Sequence, residues 1–109
     1  MSGSSSSGYS SGFEVSDKCE SLVIDTQLSS PKEDVLADVV VNSVLDVSVQ
    51  TIGAVSVVVV THQGQIAGGI AAPEVNRLRE CITKGVDYDA TVLSKDDGQV
   101  RVRIKAKSH

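Results

Sequence analysis

The chain has 109 residues, of which 40% are hydrophobic and 22% charged, and its formal net charge is −4. This length allows one domain with one modest core. The apolar runs are too short for a membrane-spanning helix, and the first residues lack the basic and apolar regions of a secretory signal. We therefore predict no membrane association and a cytoplasmic location.

The first segment, residues 1–17, is rich in Ser and Gly and is predicted to be a flexible tail. A recognition arm that carries Tyr9 and Phe13 is the alternative. Residues 18–109 are predicted to form a single domain.

Secondary-structure patterns then follow in chain order. A first short strand is expected around Leu22 to Ile24, followed by one or two helical turns after the cap Ser30 and Pro31. Alternation from Val44 predicts a half-buried strand, AVSVVVVT a more central one, and QIAGGIAA a third strand after a turn at Gly64. The pair Gly68-Gly69 indicates a bulge, a bend or a close backbone approach.

The pattern changes to a helical period in residues 73–84, where apolar residues recur at helical spacing and Gly85 supplies the stop. VDYDATVLS and QVRVRIKA are predicted as the last two strands. This order predicts a mainly β (α+β) fold: a small OB-like β-barrel of five to six strands, with one amphipathic helix between the third and fourth barrel strands. An SH3-like barrel is the alternative.

The stretch from Ala54 to Ser94 resembles the HIRAN family in its valine-rich strand, the turn at Gly64, the helix with Leu78 and the strand that restarts after Gly85. The resemblance implies an OB-like barrel, and some members of that family capture single-stranded DNA ends. The Asn and the aromatic-Asp pair that the family presents before the valine-rich strand are replaced here by QTIG. The DNA-end role is therefore not carried over to Tyr88-Asp89.

The last strand places four cations on one face, Arg101, Arg103, Lys105 and Lys107. A three-residue loop, Asp96 to Gly98, would set Lys95 opposite Gln99 and turn Tyr88 inward. Asp89 would then neutralise Lys105 and Asp87 would neutralise Lys107, which leaves Arg101 and Arg103 free.

The two cysteines, Cys19 and Cys81, lack a metal-site spacing. A reactive Cys81 needs a base, for which His62 is the only candidate, so we expect a buried structural thiol, with a Cys19–Cys81 disulfide as the alternative. No catalytic residue, metal site or cofactor is predicted.

We therefore expect a non-catalytic protein-interaction or accessory module with a protein partner. A valine-rich strand edge at Val39, Val40 and Val41 is one candidate docking site. A single-stranded nucleic-acid-binding domain that uses the basic strand and the Gly64 hairpin is the alternative, and homo-oligomerisation is left open.

Overall fold

A computed structural model describes residues 19–107 of the chain. Six strands and two helices lie wholly within this range. In chain order they are β1 (Val23–Gln27), α1 (Glu33–Leu36), β2 (Val44–Ile52), β3 (Val55–His62), β4 (Gln65–Gly69), α2 (Val75–Thr83), β5 (Tyr88–Asp96) and β6 (Gln99–Ala106). The expectation of a tail at residues 1–17 lies outside the described residues.

The six strands form one antiparallel sheet in the order β1-β6-β5-β2-β3-β4. Helix α2 connects β4 to β5, where the OB-like prediction places its helix and where the SH3-like alternative requires none. The additional strand β1 pairs with β6, at the opposite end of the sheet from β4. The expected class, a small mainly β fold with one amphipathic helix after the third barrel strand, is confirmed.

The chain after β1 brings the two ends of the sheet together. The Leu28 amide still donates to the carbonyl of Val100 in β6, at 2.8 Å. One residue later, Ser29 pairs with Gly69 of β4 through reciprocal backbone bonds of 2.9 and 2.8 Å. The Lys32 amide adds a bond to the carbonyl of Ala67. The chain that follows β1 thus leaves β6 and bonds to β4. A single bridge and one further hydrogen bond therefore close the sheet into a barrel.

The core fills the inside of this barrel. Alternate residues of β5 and β6 point inward and are nearly inaccessible to solvent: Tyr88, Ala90, Val92, Val100, Val102 and Ile104. The phenol of Tyr88, the only Phe, Tyr or Trp among residues 19–107, donates to the carbonyl of Cys19 at 2.5 Å. The inward position predicted for Tyr88 is confirmed, and its polar atom has a partner as buried hydroxyls require.

Helix α2 covers part of the barrel with Leu78 and Cys81, which are buried, while Val75 and Ile82 are half-buried. Gly85 follows the helix with φ of +104°, which confirms the predicted stop. Cys81 is bonded to Cys19, with a Cα–Cα distance of 5.6 Å. The expectation of a free structural thiol at Cys81 is therefore wrong, and the alternative pairing is the one present.

Helix α1 is a single turn, as expected, but its start differs from the prediction. Lys32 precedes the first helical residue, and Ser30 has φ of +50° and caps nothing. The end of α1 is capped from a distance by Lys95, whose ammonium donates to the carbonyls of Leu36 and Val39 at 2.6 and 2.9 Å. The Leu36 carbonyl also accepts the Val39 amide at 3.0 Å, so the lysine adds a second donor at this helix end.

The hairpin between β5 and β6 keeps the predicted pairing over most of its length, with Val92 opposite Val102 and Ala90 opposite Ile104. Nearer the turn, the register shifts by one residue at Leu93, so that Asp96 pairs with Gln99. The loop is therefore the two residues Asp97 and Gly98, both with positive φ, and the predicted three-residue loop is wrong.

Candidate interaction surface

A long stretch without charge runs through the hairpin of β2 and β3. From Val47 to Thr61 the sequence contains no Asp, Glu, Lys or Arg and no Pro. The two strands pair without interruption from Asp46 opposite Thr61 to Ile52 opposite Val55, around a turn in which Gly53 has φ of +63°. We call residues Val47–Thr61 the uncharged hairpin.

One face of the uncharged hairpin carries an apolar row that is open to solvent near the tip. Val58 and Val60 point into the core, so the intervening residues of β3 point outward. Ile52 and Val55 at the tip are 62% and 60% exposed. We define the outer row as Ile52, Val55, Val57, Val59 and Ile66, the last contributed by β4.

The outer row becomes a shallow groove towards the barrel closure. Val59 pairs with Gly69 and is only 5% exposed, so it forms the floor of the groove. Ser29, Ser30 and Lys32 line the same groove. The outer row therefore continues from the exposed tip into a depression with an apolar floor and a polar wall.

The edge of β2 on its β5 side is open over the outer half of the strand. Pairing with β5 covers only Val44 to Asp46, and the remaining residues, 47–52, have no strand partner on that side within the described part of the chain. Val47 and Val49 are half-buried against the core through their side chains. Their side chains are thus fixed by the barrel, while no strand of the described residues pairs with the backbone beside them.

A second groove separates the tip of the uncharged hairpin from α2. Val49 and Ser56 line it from the sheet, and Arg79, Glu80, Thr83 and Lys84 line it from the helix. The helix side presents both signs of charge. This groove lies on the inner face of the hairpin, opposite to the outer row.

The basic row of β6 points outward as predicted, but its charges are distributed differently. Arg103 forms a two-point pair with Asp25 of β1, at 2.8 and 2.9 Å. This hydrogen bond holds the pKa of the Asp25 carboxyl below its usual value and raises the pKa of Arg103. The prediction that Arg103 is free is wrong, because β1 lies beside β6 and supplies a carboxylate that the hairpin alone does not contain.

The lysines of this row also differ from the prediction. Lys107 lies 3.4 Å from Asp46 and 3.8 Å from Asp89, and these two acids face each other across β2 and β5. The expected ion pairs of Lys107 with Asp87 and of Lys105 with Asp89 are absent from the structure. Arg101 and Lys105 have no carboxylate within 4.0 Å among residues 19–107. The ion pairs of Arg103 and Lys107 are exposed, so their contribution to the free energy of unfolding is small.

The segment 39–41 is not a strand edge. Val39 is fully buried, whereas Val40 and Val41 are 64% and 48% exposed. The Val40 amide donates to the Ser43 hydroxyl and its carbonyl accepts from the Ser43 amide, which closes a turn. Strand addition at Val39, Val40 and Val41 therefore does not fit this geometry. The sequence signal that would have led to the open edge is the length and lack of charge of the uncharged hairpin.

The remaining titratable groups are scattered. No three His, Cys, Asp or Glu side chains of the described residues lie close enough together to hold a metal ion. His62 contacts Asp38 at 3.2 Å, near the end of β3, and Cys81 is in the disulfide. The arrangement of a thiol with a histidine base is thus absent from the part of the chain that the structure covers. Within the same residues, no helix has the length and apolar character needed to cross a bilayer.

These features define a small β-barrel of OB-like topology with an exposed apolar row and an open edge along residues 47–52 of β2. No family model, curated protein or solved structure matches this chain.

Proposed function

We propose that this chain is a non-catalytic protein-interaction or accessory module that works within a larger complex. The observation that carries the proposal is the outer row, whose residues Ile52 and Val55 are more than half exposed on a hairpin that contains no charge. Contiguous apolar surface of this kind is typical of sites that another protein covers. The polar wall formed by Ser29, Ser30 and Lys32 would supply the rim of such a site.

The residues of the outer row are not part of the hydrophobic core, so they are available to contact a partner. Val55 and Ile52 protrude at the tip, so their replacement leaves the barrel interior unchanged. Apolar side chains on a rigid hairpin lose little conformational entropy on binding, which favours their use as anchors. A partner surface with apolar side chains at its centre and polar groups around them fits this arrangement.

Site-specific photo-cross-linking in the cells that produce the protein tests this proposal. We expect a photoreactive residue at Val55 to capture one defined protein, and the same residue at Gln99, which is exposed and uncharged on another hairpin, to capture none. Ile52→Asp, combined with the probe at Val55, should abolish the product. Equal products at both positions, or no product that contains a second kind of protein, would contradict the proposal.

A single-stranded nucleic-acid-binding domain is the second candidate. The observation that favours it is that Arg101 and Lys105 have no carboxylate within 4.0 Å among residues 19–107. Arg103 and Lys107 are engaged with carboxylates, and the structure describes no exposed aromatic side chain on which bases could stack. We therefore rank this function second. An Arg101→Glu, Lys105→Glu double variant should abolish a salt-sensitive mobility shift if this function is real, whereas the absence of any shift at low salt removes it.

The HIRAN resemblance and the cytoplasmic location belong with these proposals. The order of strands and helix in residues 54–94 agrees with what the resemblance implies, but the family's DNA-end residues are missing from QTIG. The Cys19–Cys81 disulfide weighs against a cytoplasmic location, because such bonds persist mainly in oxidising compartments. Alkylation of free thiols before and after reduction, on cells quenched with acid, tests whether the bond exists in the cell; two free thiols would remove this argument against the cytoplasm.

A further inference from the structure

The open edge of β2 lacks the devices that normally protect a strand edge. Natural sheets discourage edge pairing with charged side chains, Pro, bulges or a covering loop. Residues 47–52, VSVQTI, contain no charge and no Pro, and they pair with β3 without a bulge. Such an edge is a template for one more strand.

The backbone groups that face this open side follow from the hairpin geometry. A two-residue turn is closed by a hydrogen-bonded pair, which here is Ile52 with Val55. In an antiparallel ladder, hydrogen-bonded pairs alternate with pairs whose backbone groups point away from the partner. Ile52 and Gln50 therefore bond to β3, whereas Val49 and Thr51 direct their amides and carbonyls to the open side.

We propose that the occupant of this edge is a second copy of the same chain, paired antiparallel through residues 47–51 about a two-fold axis. An axis at Val49 sets Val49 against Val49 of the second copy and Val47 against Thr51 of the second copy. All of these side chains point to the same face of the sheet, as cross-strand neighbours must. Each copy thus supplies both the amide donors and the carbonyl acceptors that the other copy needs.

The charge distribution suits a copy of the chain better than a charged partner. A two-fold interface brings a surface against itself, so a patch of a single sign repels its own copy. The β2 edge has no charge, and the adjoining groove carries both signs through Arg79, Glu80 and Lys84. Two copies therefore meet at this edge without like-charge repulsion, although each chain has a net charge of −4. The inference goes beyond the proposed function, because it uses the β2 edge and leaves the outer row to another protein.

Sedimentation of the full chain over a range of concentrations tests the inference first. We expect a monomer–dimer equilibrium, and a monomer at every concentration overturns it. Thr51→Pro removes an amide on the open side while leaving the β2–β3 ladder intact. Because each dimer loses two donors, dissociation should become easier by more than about tenfold. Thr51→Val, the matched control, keeps the amide and should dimerise as the parent does.

A second variant covers the case in which Thr51→Pro fails to fold. Thr51→Lys places a charge on a residue that is exposed in the monomer, and it should also abolish the dimer without changing the thermal midpoint of the monomer. A dimer that survives both changes uses another surface and overturns the inference.

Nitroxide labels at Gln50 test whether a dimer is paired through the β2 edges or through another surface. Paired edges bring the two labels of a dimer close enough for strong dipolar broadening, and dilution with unlabelled chain should remove it. A dimer without broadening overturns the proposed register. Protection of the Val49 and Thr51 amides from hydrogen exchange in a monomer would mean that residues 1–18 occupy the edge, which also overturns it. Cross-linking at Val55 is unaffected by these outcomes, so the two proposals fail separately.

Discussion

At the residue scale, the contact between Asp25 and Arg103 shows how a neighbour from a distant part of the sequence changes a surface. The guanidinium donates two hydrogen bonds to one carboxylate, a geometry in which Arg is much more effective than Lys. The pair is exposed, so its effect on overall stability is small. Its effect on the titration of Asp25 is direct, since the pKa of that carboxyl is lowered mainly by the hydrogen bond from Arg103.

Replacing Arg103 with Gln should therefore raise the pKa of Asp25. A lowered pKa in the folded state contributes stability at neutral pH that is lost as the pH falls through that pKa. The parent should lose this contribution on acidification, and the variant should lack it. Carboxyl chemical shifts followed by NMR across the acid range measure the change. Arg101→Gln is the control, because Arg101 makes only a minor contribution to the pKa of Asp25. Identical Asp25 titrations in parent and Arg103→Gln would contradict the assignment.

The sequence predicted where the charges of β6 point but not which acids they meet. Alternation fixes the face of Arg101, Arg103 and Lys105, because every second residue of a strand lies on one side. Partner choice depends on which strand lies alongside, and no local pattern states that β1 is the neighbour of β6. Only the structure therefore identifies Asp25 as the partner of Arg103.

At the element scale, two adjacent glycines lie at the closure of the barrel, and only one of them has no room for a side chain. A Cβ atom at Gly68 would lie 3.1 Å from Cβ of Leu28 and 3.2 Å from the carbonyl oxygen of Ser29. That oxygen accepts the hydrogen bond from Gly69 that joins the two ends of the sheet. A Cβ atom at Gly69 would meet its nearest neighbour, the Val58 carbonyl oxygen, only at 3.8 Å, an ordinary contact.

Gly68→Ala should therefore destabilise the protein, by about 1–3 kcal/mol as for other overpacked sites. The loss should appear first as faster hydrogen exchange at the amides of Ser29 and Gly69. The matched control is Gly69→Ala in the same strand, which should leave the free energy of unfolding nearly unchanged. Equal effects of the two substitutions in urea denaturation would show that contact with Leu28 and Ser29 does not limit the site.

The last hairpin shows how far a sequence pattern determines register. The pairing of Val92 with Val102 and of Ala90 with Ile104 was predictable, because a one-residue slip would expose the apolar face. The irregularity at Leu93 was not predictable, because an Asp-Gly sequence supports both a two-residue turn and a longer loop. Asp97 and Gly98 adopt the two-residue turn, and the extra residue is absorbed at Leu93 away from the core.

At the scale of the whole molecule, the disulfide joins the beginning of the described chain to the helix that covers the barrel. Cys19 and Cys81 are 62 residues apart in sequence and both are buried. The Cys19 carbonyl also accepts the Tyr88 hydroxyl, whose pKa is raised by burial. The sequence favoured reduced cysteines, since there are only two of them and their spacing matches no disulfide pattern. Only the fold brings the two residues together.

Reduction of this disulfide should lower the free energy of unfolding by about 4 kcal/mol, the chain-entropy value for a loop of this length. The bond restricts the unfolded chain more than the folded one, so the change should appear in the urea midpoint while the sheet signal of the native state persists. Urea titrations of the same chain with and without a reductant measure it. The Cys19→Ala, Cys81→Ala double variant is the control and should give the same curve in both conditions. If the parent curve is also unaffected by the reductant, the two cysteines are not linked in solution. The disulfide then no longer argues against a cytoplasmic location.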